Sequence, residues 1–306
     1  MFRQLDARPP GQFVPRRPSE TRLRPPDDES EKQKRVAQVL EELDRLIGLD
    51  EIKTLVREVR AFVEIQQRRK AEMLVTEPVV LHMVFKGNPG TGKTTVARIF
   101  GRIFRELGVL PKGHLIEGER ADLVGEYIGH TAQKSRELVK KALGGILFVD
   151  EAYSLARGGE KDFGKEAIDS LVKAMEDHKE ELILILAGYR REMDYFLHCN
   201  PGLRSRFPIQ IDFPDYSLGE LQRIADLMVK QRQYRLSPEA KAKLENLLQA
   251  ALDSEDPHFG NARLVRNIIE RAIRKQAVRL VERKVITRTD LMLIRETDIE
   301  EVLSDW

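Results

Sequence analysis

The chain has 306 residues, of which 41% are hydrophobic, so it can build one large domain and a smaller one around a sizeable core. Its 52 lysine and arginine residues nearly balance 50 aspartate and glutamate residues, so overall charge favours neither nucleic acid nor a membrane as partner. The single cysteine, Cys199, excludes an internal disulfide and a cysteine-rich metal site. The N-terminus has no signal-peptide core, and no run approaches about 18 apolar residues. We therefore expect a cytoplasmic protein without a membrane span.

The first part of the chain differs in composition from the rest. Residues 1–34 contain six of the 14 prolines, and arginine dominates up to Pro26 before three acidic residues follow. Such a segment cannot bury enough apolar surface to form a packed core. We expect a flexible arm over residues 1–34, which either docks on a partner or is a solvated tail.

From Val36 onward, apolar residues recur at the spacing of one helix face. Gly48 interrupts this pattern, and Asp50 is placed to cap a second helix, which ends before Pro78. We expect these two helices to open an α/β domain over residues 35–215.

Five short apolar runs alternate with helix-like segments in this domain. They cover residues 81–85, 114–117, 146–150, 182–187 and 209–213. Strands that alternate with helices form right-handed crossovers and a parallel sheet with both faces covered. The sequence therefore predicts a doubly wound, five-stranded parallel sheet, whose active edge lies at the carboxyl ends of its strands.

The segment after the first strand has the spacing G-x-x-x-x-G-K-[ST] of a phosphate-binding loop. It consists of Gly87, Asn88, Pro89, Gly90, Thr91, Gly92, Lys93 and Thr94, and a helix-like run begins at Thr95. Glycines let the backbone N–H groups turn toward one anion at the positive end of the next helix. We expect residues 88–95 to bind ATP, with Lys93 on the β- and γ-phosphates and the Thr94 hydroxyl on Mg²⁺.

No strand pattern follows Pro214. Ser217 and Glu220 form a capping-box pair, and helical patterns continue to the end of the chain. We expect a small all-helical domain over residues 216–306. The helical stretch 263–284 is basic, but no aromatic residues interleave with its charges, so a solvated or inter-subunit face is favoured over nucleic acid.

Two carboxylates, Asp150 and Glu151, follow the third predicted strand. Because the carboxyl ends of parallel strands meet at one edge, both side chains should emerge beside the phosphate-binding loop. There Asp150 would hold Mg²⁺ through its water shell, and Glu151 would orient and deprotonate the water that attacks the γ-phosphate. The pair predicts ATP hydrolysis.

Four motifs, taken in the order of the chain, resemble those of an AAA+ ATPase. They lie at residues 87–94 (Walker A), 146–151 (Walker B), 200–207 and 260–263. The stretches 126–131 and 150–161 further resemble the branch of this superfamily that contains sporulation ATPases and red-type Rubisco activases. The resemblance covers about residues 36–295. It implies a homo-oligomeric ring, expected to be a hexamer, that remodels a protein partner, and it makes the second domain a helical lid.

The resemblance also implies roles that residue spacing alone does not identify. Gly48 and Leu49 match the segment that lies against adenine. Arg206, with Arg204 as a second candidate, matches the arginine finger that acts in the neighbouring subunit's site. Arg263 matches sensor 2, which points from the lid to the γ-phosphate of its own subunit.

One departure from the family pattern concerns sensor 1. A polar residue, often asparagine, usually follows the fourth strand, whereas this chain has Ala187, Gly188 and Tyr189 there. The sequence leaves open which group helps to position the attacking water.

Tyr127 and Ile128 match the pore loop that grips a polypeptide at the centre of an AAA+ ring. The alternative is a tyrosine that packs on its own loop. Residues 157–161 resemble a second, mobile pore loop.

Taken together, these residues lead us to expect an ATP-driven remodeller of a protein partner, and the longer run of matching residues favours a role in bacterial sporulation. A Rubisco-activase-like remodeller is one alternative, indicated if a sugar bisphosphate changed assembly or turnover. A nucleotide-gated interaction switch with little hydrolysis is another. The intact Glu151 and Arg206 argue against the switch.

Overall fold

The computed structural model describes residues 26–76, 80–127, 129–157, 162–254 and 256–300. Within them, a five-stranded parallel sheet carries helices on both faces, and a smaller helical unit follows it. The predicted doubly wound sheet with a helical lid is therefore confirmed. None of the described helices is long and apolar enough to cross a bilayer.

The first helix, α1 (Pro26–Asp44), begins earlier than the sequence indicated. Proline suits the first position of a helix because its missing N–H needs no partner there. The Lys32 ammonium donates to the carbonyl of Leu107 at 3.3 Å, which holds this end of the helix on the sheet domain. The expectation of a flexible arm over residues 1–34 is thus wrong from Pro26 on. Local composition does not reveal this helix, because its contact at Leu107 lies far along the chain. Residues 1–25 lie outside the described residues.

After α1, the chain forms α2 and then the alternating strands and helices of the sheet domain. In chain order these elements are α2 (Asp50–Ala71), β1 (Met83–Gly87), α3 (Lys93–Leu107), β2 (Leu115–Gly118), α4 (Arg120–Leu123), α5 (His130–Ala142), β3 (Gly145–Val149), α6 (Gly164–Asp177), β4 (Leu182–Gly188), α7 (Arg190–Cys199), α8 (Pro201–Arg206) and β5 (Ile209–Phe213). A short 3-10 helix, Ala152–Ala156, follows β3. All five predicted strands are present, with boundaries that shift by no more than one or two residues.

The strand order, β2-β3-β4-β1-β5, decides which loops become neighbours. All pairs are parallel, so the carboxyl ends of the five strands lie at one edge of the sheet. Strands β1, β3 and β4 are buried along their whole length, as their continuous apolar runs predict. Because β4 lies between β1 and β3, the residues after β4 stand between the phosphate-binding loop and the acidic pair.

Two apolar clusters fill the two faces of the sheet. One cluster packs α1, α2 and α3 on the sheet around Phe85, whose ring centroid lies 5.0 Å from that of Phe213. This cluster continues into the lid through buried residues such as Tyr216 and Val265. The other cluster packs α5, α6 and α7 on the opposite face. The lid and the sheet domain therefore share one core.

In the described part of the lid there are four α-helices, α9 (Leu218–Gln231), α10 (Pro238–Asp253), α11 (Asn261–Val281) and α12 (Arg288–Met292), and a 3-10 helix at Glu296–Asp298. The predicted capping box is present, since the Ser217 N–H donates to Glu220 Oε2 at 2.8 Å. The lid also contains two strands that the sequence did not indicate, β6 (Arg235–Leu236) and β7 (Leu293–Ile294), which pair in parallel. Two residues per strand are too few for an alternating pattern to be read.

Candidate nucleotide-binding site

A cavity of about 620 Å³ lies between the carboxyl edge of the sheet and the lid. Many of the residues singled out from sequence line this cavity: Leu49, Pro89, Gly90, Gly92, Lys93, Thr94, Thr95, Asp150, Glu151 and Arg263. These residues come from the loop between β1 and α3 with the start of α3, the end of β3, the segment before α2 and the lid, so the fold brings four separate parts of the chain to one space.

The phosphate-binding loop takes a shape that depends on its glycines. Gly90 has φ +74° and Gly92 has φ +98°, a left-handed conformation that side chains with a Cβ disfavour. Gly92 also caps α3, so the positive end of that helix faces the cavity. Several N–H donors can therefore converge on one anion.

Two residues of the loop support it without lining the cavity. Thr91 is fully buried, and its hydroxyl donates to the carbonyl of Asn88 at 2.8 Å. Its own carbonyl accepts from the Tyr216 hydroxyl at 3.2 Å. The Asn88 amide donates to the carboxylate of Asp215, with distances of 3.1 and 3.0 Å. Both residues thus hold the loop in place from behind.

The Lys93 ammonium lies across the loop and donates to the carbonyls of Gly87 at 2.7 Å and Asn88 at 2.8 Å. Burial lowers the pKa of Lys93 to about 8, while the charge of Asp150 acts in the opposite direction and that of Arg263 adds to the lowering. A bound phosphate would offer this ammonium the anionic partner that its two carbonyls do not supply.

Asp150 and Glu151 stand beside the loop at the end of β3, as parallel pairing requires. The N–H of Glu151 donates to Asp150 Oδ1 at 3.0 Å, which holds the Asp150 carboxylate against the backbone of Glu151. Glu151 has φ +46° and ψ +42°, a left-handed conformation that costs a non-glycine residue about 1–2 kcal/mol. Backbone strain of this kind persists only where the surrounding structure maintains it, and it is concentrated at functional sites.

The lid supplies the basic wall of the cavity. Arg263 and Arg266, both in the first turns of α11, line it. A Cβ built on Gly90 would lie 2.4 Å from the carbonyl oxygen of Gly260 and 2.7 Å from the N atom of Arg263, so the loop and the lid helix touch through their backbones. No motif in the sequence identifies Arg266, although its position three residues after Arg263 on a helix is a usable signal.

The apolar end of the cavity lies at the segment between α1 and α2. Leu46, Ile47 and Leu49 line it, and Leu227 and Met228 face them from α9. Gly48, expected here, does not line the cavity. It has φ +65°, and a Cβ on it would lie 2.2 Å from Glu220 Oε1, so it permits the lid to approach this segment.

Tyr189 is the residue found where the family pattern has a polar sensor 1. It lines the cavity together with Glu151 and Arg263. Burial raises the pKa of Tyr189, and the charge of Glu151 raises it further, so its hydroxyl stays protonated at neutral pH and can donate a hydrogen bond.

Arg204 and Arg206 lie in α8 and do not line the cavity of their own subunit. Arg204 is exposed. Arg206 donates through Nε to Glu176 Oε1 at 3.0 Å and through Nη1 to the carbonyl of Gly202 at 2.9 Å. Both candidate finger residues therefore lie outside the cavity of their own subunit, Arg204 at the surface and Arg206 in an ion pair with Glu176.

Tyr127 lies between α4 and α5 and does not line the cavity either. Its side chain is 65% exposed, and its ring meets that of His130 edge-on with centroids 5.4 Å apart. Ile128 and residues 158–161 lie outside the described residues, and so does most of the second expected pore loop. Arg157, at the start of that loop, stacks 4.5 Å above the buried Tyr153 ring.

Comparison with protein families agrees with this arrangement. Residues 83–215 match the family described as "ATPase family associated with various cellular activities (AAA)", and residues 217–305 match the AAA lid domain. Among solved structures, the FIGL-1 AAA domain superposes with a TM-score of 0.57 at 16% identity and covers 85% of each chain. A variant of RuvB from Thermotoga maritima has a TM-score of 0.54 at 22% identity, covering 82% of this chain and 69% of that one. Both likenesses concern the fold.

Curated relatives are much more similar in sequence. Stage V sporulation protein K of Bacillus subtilis (strain 168) is 58% identical over 263 residues, which cover 86% of this chain and 82% of the relative. The chloroplastic ribulose bisphosphate carboxylase/oxygenase activase of Cyanidioschyzon merolae is 46% identical over 272 residues, covering 88% and 92%. With its AAA domain, its AAA lid and relatives at this level of identity over most of their length, the chain belongs to the AAA+ ATPase family.

Proposed function

We propose that this protein hydrolyses ATP in a homo-oligomeric ring, a hexamer, and uses the energy to remodel a protein partner. The observation that carries the proposal is the convergence of Lys93, Asp150, Glu151 and Arg263 on one cavity between sheet and lid.

We also propose that the nucleotide-binding domain ends at residue 215 and the lid begins at 216. The shared apolar core would transmit movement between them.

ATP fits the chemistry of this cavity. The phosphates would lie on the N–H groups of the loop and on Lys93, at the positive end of α3. The base would lie at the apolar end, against Leu49 and the lid residue Met228. Gly48 would not contact the base. Its positive φ would instead set the path of the chain that places Leu49 beside the base.

Mg²⁺ fits the same cavity. Thr94 and Asp150 both line it and offer a hydroxyl and a carboxylate, the hard oxygen donors that Mg²⁺ prefers. Within the described residues, no group of three His, Cys, Asp or Glu side chains could hold a metal alone. The ion would therefore depend on nucleotide phosphates and water for the rest of its coordination, and it would neutralise charge on the phosphates.

Hydrolysis would be shared between subunits. Glu151 would deprotonate the attacking water, and Arg263 would contact the γ-phosphate from the lid of its own subunit. Arg206, with Arg204 as the second candidate, would act in the neighbour's cavity, which is consistent with its position outside its own. This division would couple turnover to assembly of the ring.

Remodelling would use Tyr127, with Ile128 beside it. An aromatic ring that is mostly exposed on a loop offers a large grip that tolerates changes in the sequence it holds. The high identity to the sporulation protein favours a role in bacterial sporulation. The identity to the Rubisco activase keeps a Rubisco-type partner as the second candidate.

The test measures steady-state ATP hydrolysis with Mg²⁺ and sedimentation with a non-hydrolysable ATP analogue. We expect ring-sized particles and turnover that an unfolded polypeptide such as casein stimulates. Binding and assembly without turnover would instead support the nucleotide-gated switch. Ribulose bisphosphate, added alone, should leave assembly and turnover unchanged, and a clear response to it would favour the activase-like alternative.

Identification of the partner requires a trapped complex. Glu151→Gln loaded with ATP should retain a protein partner from a lysate of the source cells. Lys93→Ala, which should not bind nucleotide, is the matched control. A protein that both variants retain equally is not held by the nucleotide-bound state.

A further inference from the structure

Asn261, the first residue of α11, has an unusual backbone conformation and is buried, and the hydrogen bonds of its side chain account for both. It has φ +47° and is fully buried. Asparagine is one of the few residues with a side chain that enters the left-handed region readily. Its Oδ1 accepts from the N–H of Tyr216 at 2.8 Å, and its Nδ2 donates to Asp215 Oδ1 at 2.6 Å and to the carbonyl of Phe259 at 3.0 Å. The amide therefore ties the start of the lid helix to the segment that follows β5.

Asp215 extends this connection to the phosphate-binding loop. Its carboxylate, although open to solvent, also accepts from the amide of Asn88 at 3.0 and 3.1 Å. Asn88, Asp215 and Asn261 thus form a continuous chain of hydrogen bonds from the loop to the lid. We name these three residues the loop–lid bridge.

The bridge lies outside the cavity, because none of its three residues lines it. Arg263, two residues after Asn261, does line the cavity. Next to the bridge, the loop and the lid helix are in backbone contact, since a Cβ on Gly90 would lie 2.7 Å from the N atom of Arg263. A shift of the first turn of α11 would therefore move Arg263 relative to the loop.

We infer that Asn261 is a positioning residue for Arg263: through the loop–lid bridge it holds the first turn of the lid helix on the phosphate-binding loop, so that loop and lid respond to nucleotide as one unit. This inference rests on the proposed function, because it assigns Arg263 to the γ-phosphate. It adds a role for Asn261 and Asp215, which do not line the cavity themselves.

The test begins with Asn261→Asp, which keeps size and shape but replaces the donating amide with a carboxylate that faces Asp215. Loss of a charge-assisted hydrogen bond and the new repulsion should lower kcat by about tenfold to a hundredfold. In an Arg263→Ala background the same substitution should add little further loss, because its effect acts through Arg263. The double variant Asn261→Asp with Asp215→Asn restores a donor opposite an acceptor and should recover part of kcat.

Gln276→Ala is the matched control. Gln276 is a buried amide in the same helix, and it donates to the carbonyls of Asp290, Leu291 and Leu293 far from the cavity. This variant should lower the melting temperature but keep kcat within about twofold, because it leaves the cavity intact. If Asn261→Asp keeps the wild-type kcat, or if both variants lose kcat in proportion to their melting temperatures, the positioning role is wrong.

Hydrogen–deuterium exchange of the nucleotide-free protein provides a readout that does not depend on activity. Asn261→Asp should speed exchange in residues 88–92 and in residues 260–264 together, whereas Gln276→Ala should leave residues 88–92 unchanged. Faster exchange in the lid segment alone would overturn the bridge. A wild-type protein that does not hydrolyse ATP would refute the proposed function, and the exchange data would still decide whether the bridge couples loop and lid.

Discussion

The ring of Tyr189 meets the ring of His258 edge-on, with centroids 4.6 Å apart. Tyr189 directly follows β4 and lines the nucleotide cavity, whereas His258 lies in the lid segment before α11. One aromatic contact thus joins the sheet edge to the lid beside the groups proposed to carry out hydrolysis. Edge-to-face pairs of this kind contribute about 0.5–1.5 kcal/mol beyond their buried area.

This position makes the Tyr189 hydroxyl the candidate for the missing sensor 1. Tyr189→Phe keeps the ring contacts and removes only the hydroxyl, so we expect kcat for ATP to fall by up to about a hundredfold with little change in ATP affinity. Steady-state kinetics and an equilibrium binding titration measure the two effects separately. Tyr195→Phe, at an exposed tyrosine of α7, is the control and should be silent. A normal kcat in Tyr189→Phe would assign the positioning of water to another group.

The pH dependence of ATP binding should report Lys93. In the free protein, burial lowers the pKa of Lys93 to about 8, so the ammonium loses its proton as the pH rises through that value. Bound phosphate would hold the proton, so binding above this pH takes up a proton, and affinity for ATP falls by up to about tenfold per pH unit.

The same lowered pKa affects folding. Between about pH 8 and the ordinary pKa of lysine, the unfolded chain binds a proton that the folded protein has lost, so the free energy of unfolding of the free protein rises with pH over this range.

Calorimetric titrations with a non-hydrolysable ATP analogue, from about pH 7 to about pH 9, measure how the affinity for nucleotide changes with pH. Lys93→Arg is the control, because a guanidinium stays charged over the whole range and its affinity should vary much less with pH. A wild-type affinity that is constant over this range would mean that a group other than Lys93 provides the main cationic contact.

Glu151→Gln should leave Mg²⁺-ATP bound and lower kcat by about two to four orders of magnitude, the range of general-base catalysis. Asp150→Asn is the matched comparison at the neighbouring carboxylate, and it should instead raise the Mg²⁺ concentration needed for half-maximal activity. Rapid single-turnover measurements at several Mg²⁺ concentrations distinguish the two. If Glu151→Gln turns over normally, the base lies elsewhere in the cavity.

Arg206→Ala should lower kcat by about 10³ to 10⁵ with little loss of ATP binding, because an arginine finger stabilises charge that develops in the transition state. Arg204→Ala should have a smaller effect. Mixing Arg206→Ala subunits with Lys93→Ala subunits should restore part of the activity, since some mixed interfaces pair an intact cavity with an intact finger. Mixed rings that co-assemble and stay inactive would show that Arg206 does not act in the neighbouring subunit.

Tyr127→Ala should keep basal ATP hydrolysis and assembly and lose the stimulation by casein. Because the side chain is 65% exposed, we expect the free energy of unfolding to change by no more than about 0.5 kcal/mol. Tyr127→Phe keeps the ring and should retain the stimulation. A large fall in thermal stability together with basal activity would support the alternative of a tyrosine that packs on its own loop against His130.

Local sequence was sufficient for the parts of the site whose chemistry needs consecutive residues. The phosphate-binding loop has to place glycines, a lysine and a hydroxyl within one turn, and the acidic pair has to end a buried strand. Parallel pairing then brings the two together, because the carboxyl ends of all five strands share one edge. Ser217 and Glu220 were predictable for the same reason, since a capping box lies within four consecutive residues.

Tertiary structure alone decided the contacts between residues far apart in the chain. Asn88 and Asp215 are 127 positions apart, so no periodicity or spacing in the sequence relates them. Lys32 of α1 likewise donates to the carbonyl of Leu107, 75 residues later, a contact that the proline-rich composition of this region does not reveal. Composition and spacing describe a segment by itself, whereas the placement of Tyr189, the lid and the loop–lid bridge results from packing of segments that become neighbours only when the chain folds.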